Sequence, residues 1–193
     1  DDAKAVAVRL FDPDTLFKLA QWRRAKHYIK TPLKGPYVVA VHIVKGGTGK
    51  TTTAAEIALH LQLAGMKVLA IDLDVQSNLT QYMGYEADLE LKDAEAFNLT
   101  SEAVVGKTFA HVVCPYVGRG TTDSVGELIK KPFGEHGPHL IPSDANLGDM
   151  EYAVSASKGA RELLLRKLLA EAAQGKIPGF DISKYDVIVM DCP

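Results

Sequence analysis

The chain has 193 residues, 47% hydrophobic and 24% charged, with a formal net charge of −2. That composition suits one good-sized globular core and argues against a chain that is basic throughout. No run approaches the roughly 18 apolar residues of a membrane helix. The first residues lack a signal-peptide pattern, and Cys114 and Cys192 make neither a disulfide framework nor a metal cluster. A reducing cytoplasm is the expected compartment.

Residues 1–36 precede the first strand. Between Thr15 and Lys34 stand six basic residues (Lys18, Arg23, Arg24, Lys26, Lys30, Lys34) and no acidic one, which leaves −8 for the remainder. Such asymmetry reads as a basic arm on an acidic body. FDPDTLFKLAQWRRAKHYIK predicts a helix, with Asp14 or Thr15 as N-cap and Pro32 beyond its end. Leu16, Phe17, Leu19, Trp22 and Ile29 form a loose apolar stripe, and TPLKGP reads as a linker. Two roles fit this segment: a linker or dimerisation helix, or a contact to nucleic-acid phosphates with Trp22 and Tyr28 beside the cations.

Tyr37 to Val44 predicts a buried parallel strand. It runs into Lys45-Gly46-Gly47-Thr48-Gly49-Lys50-Thr51-Thr52, and a helix to Ala64 follows, closed by Gly65. Strand, glycine turn and helix ending in Gly-Lys-Thr is the context that makes a phosphate-loop match credible. Backbone N–H groups of such a turn and the helix dipole attract anions. Lys50 would reach the β- and γ-phosphates of a nucleotide, and the Thr51 hydroxyl would hold Mg²⁺. The standard pattern places a glycine five residues before Gly49. Here that position is Val44, followed by a second lysine, Lys45.

KVLAIDL (67–73) predicts a second buried strand, closed by Asp72 and Asp74, with a short helix through residues 81–83. This βαβ unit implies an α/β fold, a doubly wound and mostly parallel sheet with helices on both faces. Residues 85–137 read as a less regular insertion with one or two helices. HLIP (139–142) gives a short strand, and two helices follow over 146–157 and 159–174. Leu163, Leu164, Leu168 and Leu169 are expected on the apolar face of the second. YDVIVM (185–190) predicts a further central strand capped by Asp191. Because only Cys192 and Pro193 follow, the sheet is expected to be incomplete at the C-terminus, with that strand exposed as an apolar edge.

In parallel α/β sheets ligands bind at the carboxyl ends of the strands, where Asp72, Asp74 and Asp191 stand. An acid after an apolar strand is the usual magnesium-side partner of a phosphate loop, which makes Asp191 the expected Mg²⁺ residue. His42, inside the first strand, is expected as a packed core histidine. His111, His136 and His139 show no ligand spacing with either cysteine.

Taken together, K-G-G-T-G-K-T-T, D-L-D-V-Q-S-N, I-P-S-D and Y-D-V-I-V-M-D-C-P resemble the ParA/MinD family of deviant-Walker ATPases, the ParA-type partition ATPases most closely. The match covers residues 37–84 and 139–193 and assigns 37–193 to a P-loop ATPase domain. The resemblance implies binding of ATP or ADP with Mg²⁺ through Lys45, Gly46, Gly47, Thr48, Gly49, Lys50, Thr51 and Thr52. It implies Lys45, Lys50 and Asp72 as catalytic residues and Thr51, Asp72 and Asp191 around the metal. Lys45 would reach the partner's nucleotide in an ATP-bound homodimer, and Asp72 would orient the attacking water. Asp74 would support the loop or the dimer contact. Val75 replaces the proline common in D-x-D-P-Q. The family also implies non-specific DNA binding, a ParB-like partner that stimulates slow hydrolysis, and a cytoplasmic, nucleoid-associated location without a membrane partner. A MinD-like membrane-cycling ATPase, a nucleotide-regulated repressor and a nucleotide-binding protein without turnover are the rival readings.

Overall fold

The computed structural model describes residues 11–29, 35–43, 45, 47–87, 89–119, 128–156, 161–178 and 180–193. Four parallel strands form its centre: β1 (Tyr37–Val41), β2 (Val68–Asp72), β3 (His139–Ile141) and β4 (Val187–Asp191), in the spatial order β1-β4-β2-β3. Around them lie α1 (Pro13–Ala25), α2 (Lys50–Leu63), α3 (Asn78–Tyr82), α4 (Ala110–Arg119), α5 (Gly148–Ala156) and α6 (Arg161–Ala173).

Strands β2 and β4 are buried at all five positions, as the near-continuous apolar runs of a sheet covered on both faces require. Their side chains alternate between two cores. Leu69, Ile71, Ile188 and Met190 pack with Phe109, Val112, Val113 and Leu168 under α4 and α6. Val68, Ala70, Val187 and Val189 pack on the other side against Ala54, Ala55 and Ala58 of α2. Three alanines on that face let α2 ride close to the sheet, and fully burying one large aliphatic chain beneath it contributes about 2 kcal/mol. The expected α/β architecture with helices on both faces is present.

Five local expectations change. The last strand, β4, is not an edge, because the chain returns from β3 to insert it between β1 and β2. The exposed position falls instead to β1, which ends at Val41 rather than Val44 and leaves Tyr37 and Val38 half exposed. His42 therefore lies past the strand end, exposed, with Nδ1 2.7 Å from the Pro193 carbonyl oxygen, and is not a core histidine. In α6 the buried face is Leu168, Leu169 and Ala172, while Leu163 faces solvent. At the start of α1 the cap is Asp12, whose carboxylate accepts from the Thr15 N–H at 2.7 Å with Pro13 in the first turn. Asp14 is used elsewhere: it accepts from the His136 backbone N–H and lies beside its ring. Pro32 and most of the TPLKGP segment fall outside the described residues.

Within 85–137 the chain forms 3₁₀ turns at Leu91–Phe97 and Ser101–Ala103, then α4. Phe109, Val112, Val113 and Tyr116 all enter the core at helical spacing. The Tyr116 hydroxyl donates to Glu171 of α6 at 2.7 Å, which ties the two helices together.

α1 is docked on this body. Phe17 is buried and meets Phe133 edge-on at 6.0 Å. Arg24 forms a two-pronged ion pair with Asp186, the second prong at 2.8 Å, and also donates to the Gly65 carbonyl. Gly65 has φ +86, and a Cβ there would lie 2.9 Å from the Ala20 carbonyl oxygen. Glycine is thus needed both to end α2 and to admit α1.

Candidate nucleotide and magnesium site

The site assembles where β1 and β4 end. In the sheet register Val41 stands beside Asp191, and Asp191 beside Asp72. The glycine turn leaves β1 there and enters α2 through Gly49, whose φ of +78 a side chain would resist. Gly47 also has positive φ, and the Thr48 hydroxyl donates to the Lys45 carbonyl at 2.9 Å, closing the turn. Among the described residues no side chain caps α2. Its first N–H groups are therefore open to an anion, with the helix dipole behind them. Gly46 and Val44 lie outside the described residues. Lys45, Thr52 and Gly47 are exposed around the turn, and Thr51 is half buried at its inner side.

Lys50 crosses the turn. Its Nζ donates to the Cys192 carbonyl at 2.7 Å and lies 3.7 Å from the Asp74 carboxylate. The ammonium thus sits between the ends of β4 and β2, beside the anion cradle.

The three acids hold different positions. Asp72 is fully buried, and both its oxygens are engaged. One accepts from the Thr80 N–H (2.9 Å) and hydroxyl (2.7 Å), the other from the Asp74 N–H (3.1 Å). Burial pushes its carboxyl up to about 6 against those donors, and neighbouring Asp191 adds to the rise. Asp74 caps its own turn through the Gln76 N–H at 3.0 Å and keeps its other oxygen toward Lys50. Asp191 is fully buried, and among the described residues neither carboxylate oxygen has a partner at hydrogen-bond geometry, although Thr51 and Lys50 act on it. Burial raises its pKa; Thr51 and Lys50 oppose the rise and Asp74 adds to it. An ionisable pair of oxygens left bare in the interior is costly unless something cationic completes it. The position next to a loop threonine suits a hard cation that takes oxygen ligands. Thr51 and Asp191 therefore fit Mg²⁺, whereas both oxygens of Asp72 already accept from protein donors.

A polar network that sequence reasoning missed braces this end of the sheet. The Thr80 hydroxyl that serves Asp72 accepts from the Ser143 N–H at 2.9 Å, and the Ser143 hydroxyl donates to the Asp74 carbonyl at 2.7 Å. Ser143 belongs to the I-P-S-D stretch, so a signal existed for it. Thr80 carried none.

A parallel sheet with an uncapped glycine-turn helix and a bare carboxylate on the neighbouring strand defines a P-loop nucleotide-binding domain. The comparisons narrow this. The AAA domain family AAA_31 matches residues 37–193. A putative replication protein A of Rhizobium rhizogenes is 34% identical over 159 residues, 81% of this chain and 34% of that protein. The chromosome-partitioning ATPase Soj of Treponema pallidum is 30% identical over 149 residues, 77% of this chain and 45% of that one. Among solved structures, cobyrinic acid a,c-diamide synthase from Mycobacterium smegmatis with bound ADP and magnesium has a TM-score of 0.59 at 26% identity, over 82% of this chain and 51% of that one. The chain belongs to the ParA/MinD family of deviant-Walker ATPases. It spans a third to under a half of the length of these two curated relatives.

Proposed function

We propose that this protein is an ATP-dependent DNA partition ATPase of the ParA type. The observation that carries the reading is Asp191, whose two buried oxygens beside the phosphate cradle have no partner at hydrogen-bond geometry among the described residues. In this reading Thr51 and Asp191 hold Mg²⁺, which neutralises charge on the nucleotide phosphates. Backbone N–H groups of 46–52 receive the phosphates, and Lys50 exchanges the Cys192 carbonyl and Asp74 for the β- and γ-oxygens. Both interactions it gives up are to oxygens, so the exchange keeps the ammonium solvated by acceptors.

The role expected of Asp72 divides between two residues. Asp72 acts as a positioning residue: its carboxylate holds the Asp74 N–H and, through Thr80, α3 in place. Asp74, facing the loop lysine, is the carboxylate available on the phosphate side and takes the water-orienting role. Lys45 is exposed on the outside of the turn and is within no ion pair among the described residues. That position suits a cation offered in trans to a second copy of the loop, as an arginine finger is. ATP would then hold a homodimer, which binds DNA without sequence preference until a ParB-like partner stimulates hydrolysis. A cytoplasmic, nucleoid-associated protein is the setting this implies.

The test is Lys45→Ala. It should bind one ATP with affinity within about threefold of the wild type, yet lose ATP-dependent dimerisation in light scattering and at least 90% of phosphate release, the scale of a cation supplied in trans. Hydrolysis at the wild-type rate would remove the role in trans.

A further inference from the structure

α1 does not lie flat on the body. Between it and the N-terminal ends of β2 and β4, on the side of the sheet away from the phosphate loop, opens a cleft of about 990 Å³. One wall carries Lys18, Arg24 and His27 of the α1 segment, and the other carries Lys67 and Lys184 at the strand starts. The acid in the lining is Asp186, and it is consumed. Arg24 pairs with both of its oxygens, and the Lys67 backbone N–H donates to it at 2.7 Å. The nearby Asp14 is likewise engaged, by His136. Glu135 and Asp181 also lie near Lys184, and among the described residues they are engaged by Lys131 and by Ser183. With these acids held by other donors, the lysine ammonium groups of the lining give the cleft its excess of positive charge, which attracts an anion.

The kind of anion follows from how the cations are presented. Lys18, Lys67 and Lys184 are all exposed, and they line the two walls rather than converging on one point. A small metabolite would need an enclosed pocket with convergent donors. Exposed lysines along an open trough suit a chain of phosphates, where each neutralised charge releases a counterion. The trough is also held rigidly, because Phe17 and the Arg24–Asp186 pair dock α1. Trp22, the single tryptophan of the chain, is half exposed in the lining.

We propose that this cleft is a nucleic-acid backbone-binding surface of the protein, contacting duplex DNA without reading its sequence. The proposal rests on the partition reading and names the surface that the reading leaves open. It also places the DNA on the opposite end of the sheet from the nucleotide.

The experiment uses a fluorescein-labelled 30-base-pair duplex of arbitrary sequence, titrated by anisotropy in ATP and Mg²⁺ at several KCl concentrations. The comparison is wild type against Lys18→Gln/Lys67→Gln/Lys184→Gln, with Lys92→Gln as a control. The triple variant should bind at least tenfold more weakly, and its slope of log affinity on log salt should shrink by about 3, one per lost phosphate contact. Lys92→Gln should match the wild type, and all should bind a fluorescent ATP analogue equally. Trp22 emission should change in step with anisotropy. Unchanged affinity and slope in the triple variant, or a Trp22 signal indifferent to bound DNA, would overturn the surface while leaving the partition reading standing. A wild type that binds nucleotide but no duplex would overturn both the surface and the DNA-binding part of that reading.

Discussion

Two neighbouring acids at the same end of the sheet differ in how their oxygens are used. Asp72 accepts from Thr80 and Asp74, whereas among the described residues Asp191 accepts no hydrogen bond. For Asp72, burial outweighs the donors and lifts its carboxyl from 3.8 to about 6. The folded state therefore holds its proton longer than the unfolded chain, so this group makes stability fall as pH rises from about 4 to about 6. Two units correspond to about 3 kcal/mol. Asp72→Asn keeps an acceptor for Thr80 and removes the ionisation. In urea titrations at pH 4.5 and pH 7, wild type should lose about 2 kcal/mol more than the variant over that interval. Identical pH dependence would show that Asp72 is not the buried titrating group. From the sequence, Asp72, Asp74 and Asp191 were equally legible as strand-end acids. Their division of labour was not, because it depends on Thr80 and Ser143, which reach Asp72 and Asp74 only through the fold.

At the scale of elements, α1 and α4 are the two that the sequence described least well. α1 has a loose apolar stripe because only Phe17 and Ala20 are buried; its attachment otherwise runs through Arg24, Gln21 and Asp14. Polar docking of this kind leaves no periodic signal. Phe17→Ala tests whether the helix belongs to the folded body. It should cost about 3 kcal/mol in chemical denaturation, the scale of a buried aromatic truncated in a core. A change under about 0.5 kcal/mol, typical of a surface site, would make α1 a detached arm. α4 was obscured differently. Its Phe109, Val112, Val113, Tyr116 spacing is helical, but Pro115 inside the run and the glycines after it read as loop. Strands β2 and β4 and the loop into α2 were plain from the sequence, since continuous apolar runs closed by acids or glycines leave few other solutions.

At the scale of the whole molecule, strand order creates the site. The sequence shows that β1 carries the loop and β4 ends in Asp191. It does not show that β4 inserts beside β1, which sets Asp191 in register with Val41 and brings the bare carboxylate to the loop. The same insertion buries β4 and leaves β1 half exposed, the reverse of what chain order suggested. Insertion of a late strand is a long-range choice, decided by burial on both faces of the sheet rather than by local pattern. The central claim is that this arrangement holds Mg²⁺ with a nucleoside triphosphate. Calorimetric titration of ATP, with Mg²⁺ and with EDTA, into wild type and Asp191→Asn tests it most directly. Magnesium should tighten ATP binding by the wild type at least tenfold and leave Asp191→Asn nearly unaffected. An Asp191→Asn protein whose ATP affinity still rises tenfold with magnesium would contradict the account.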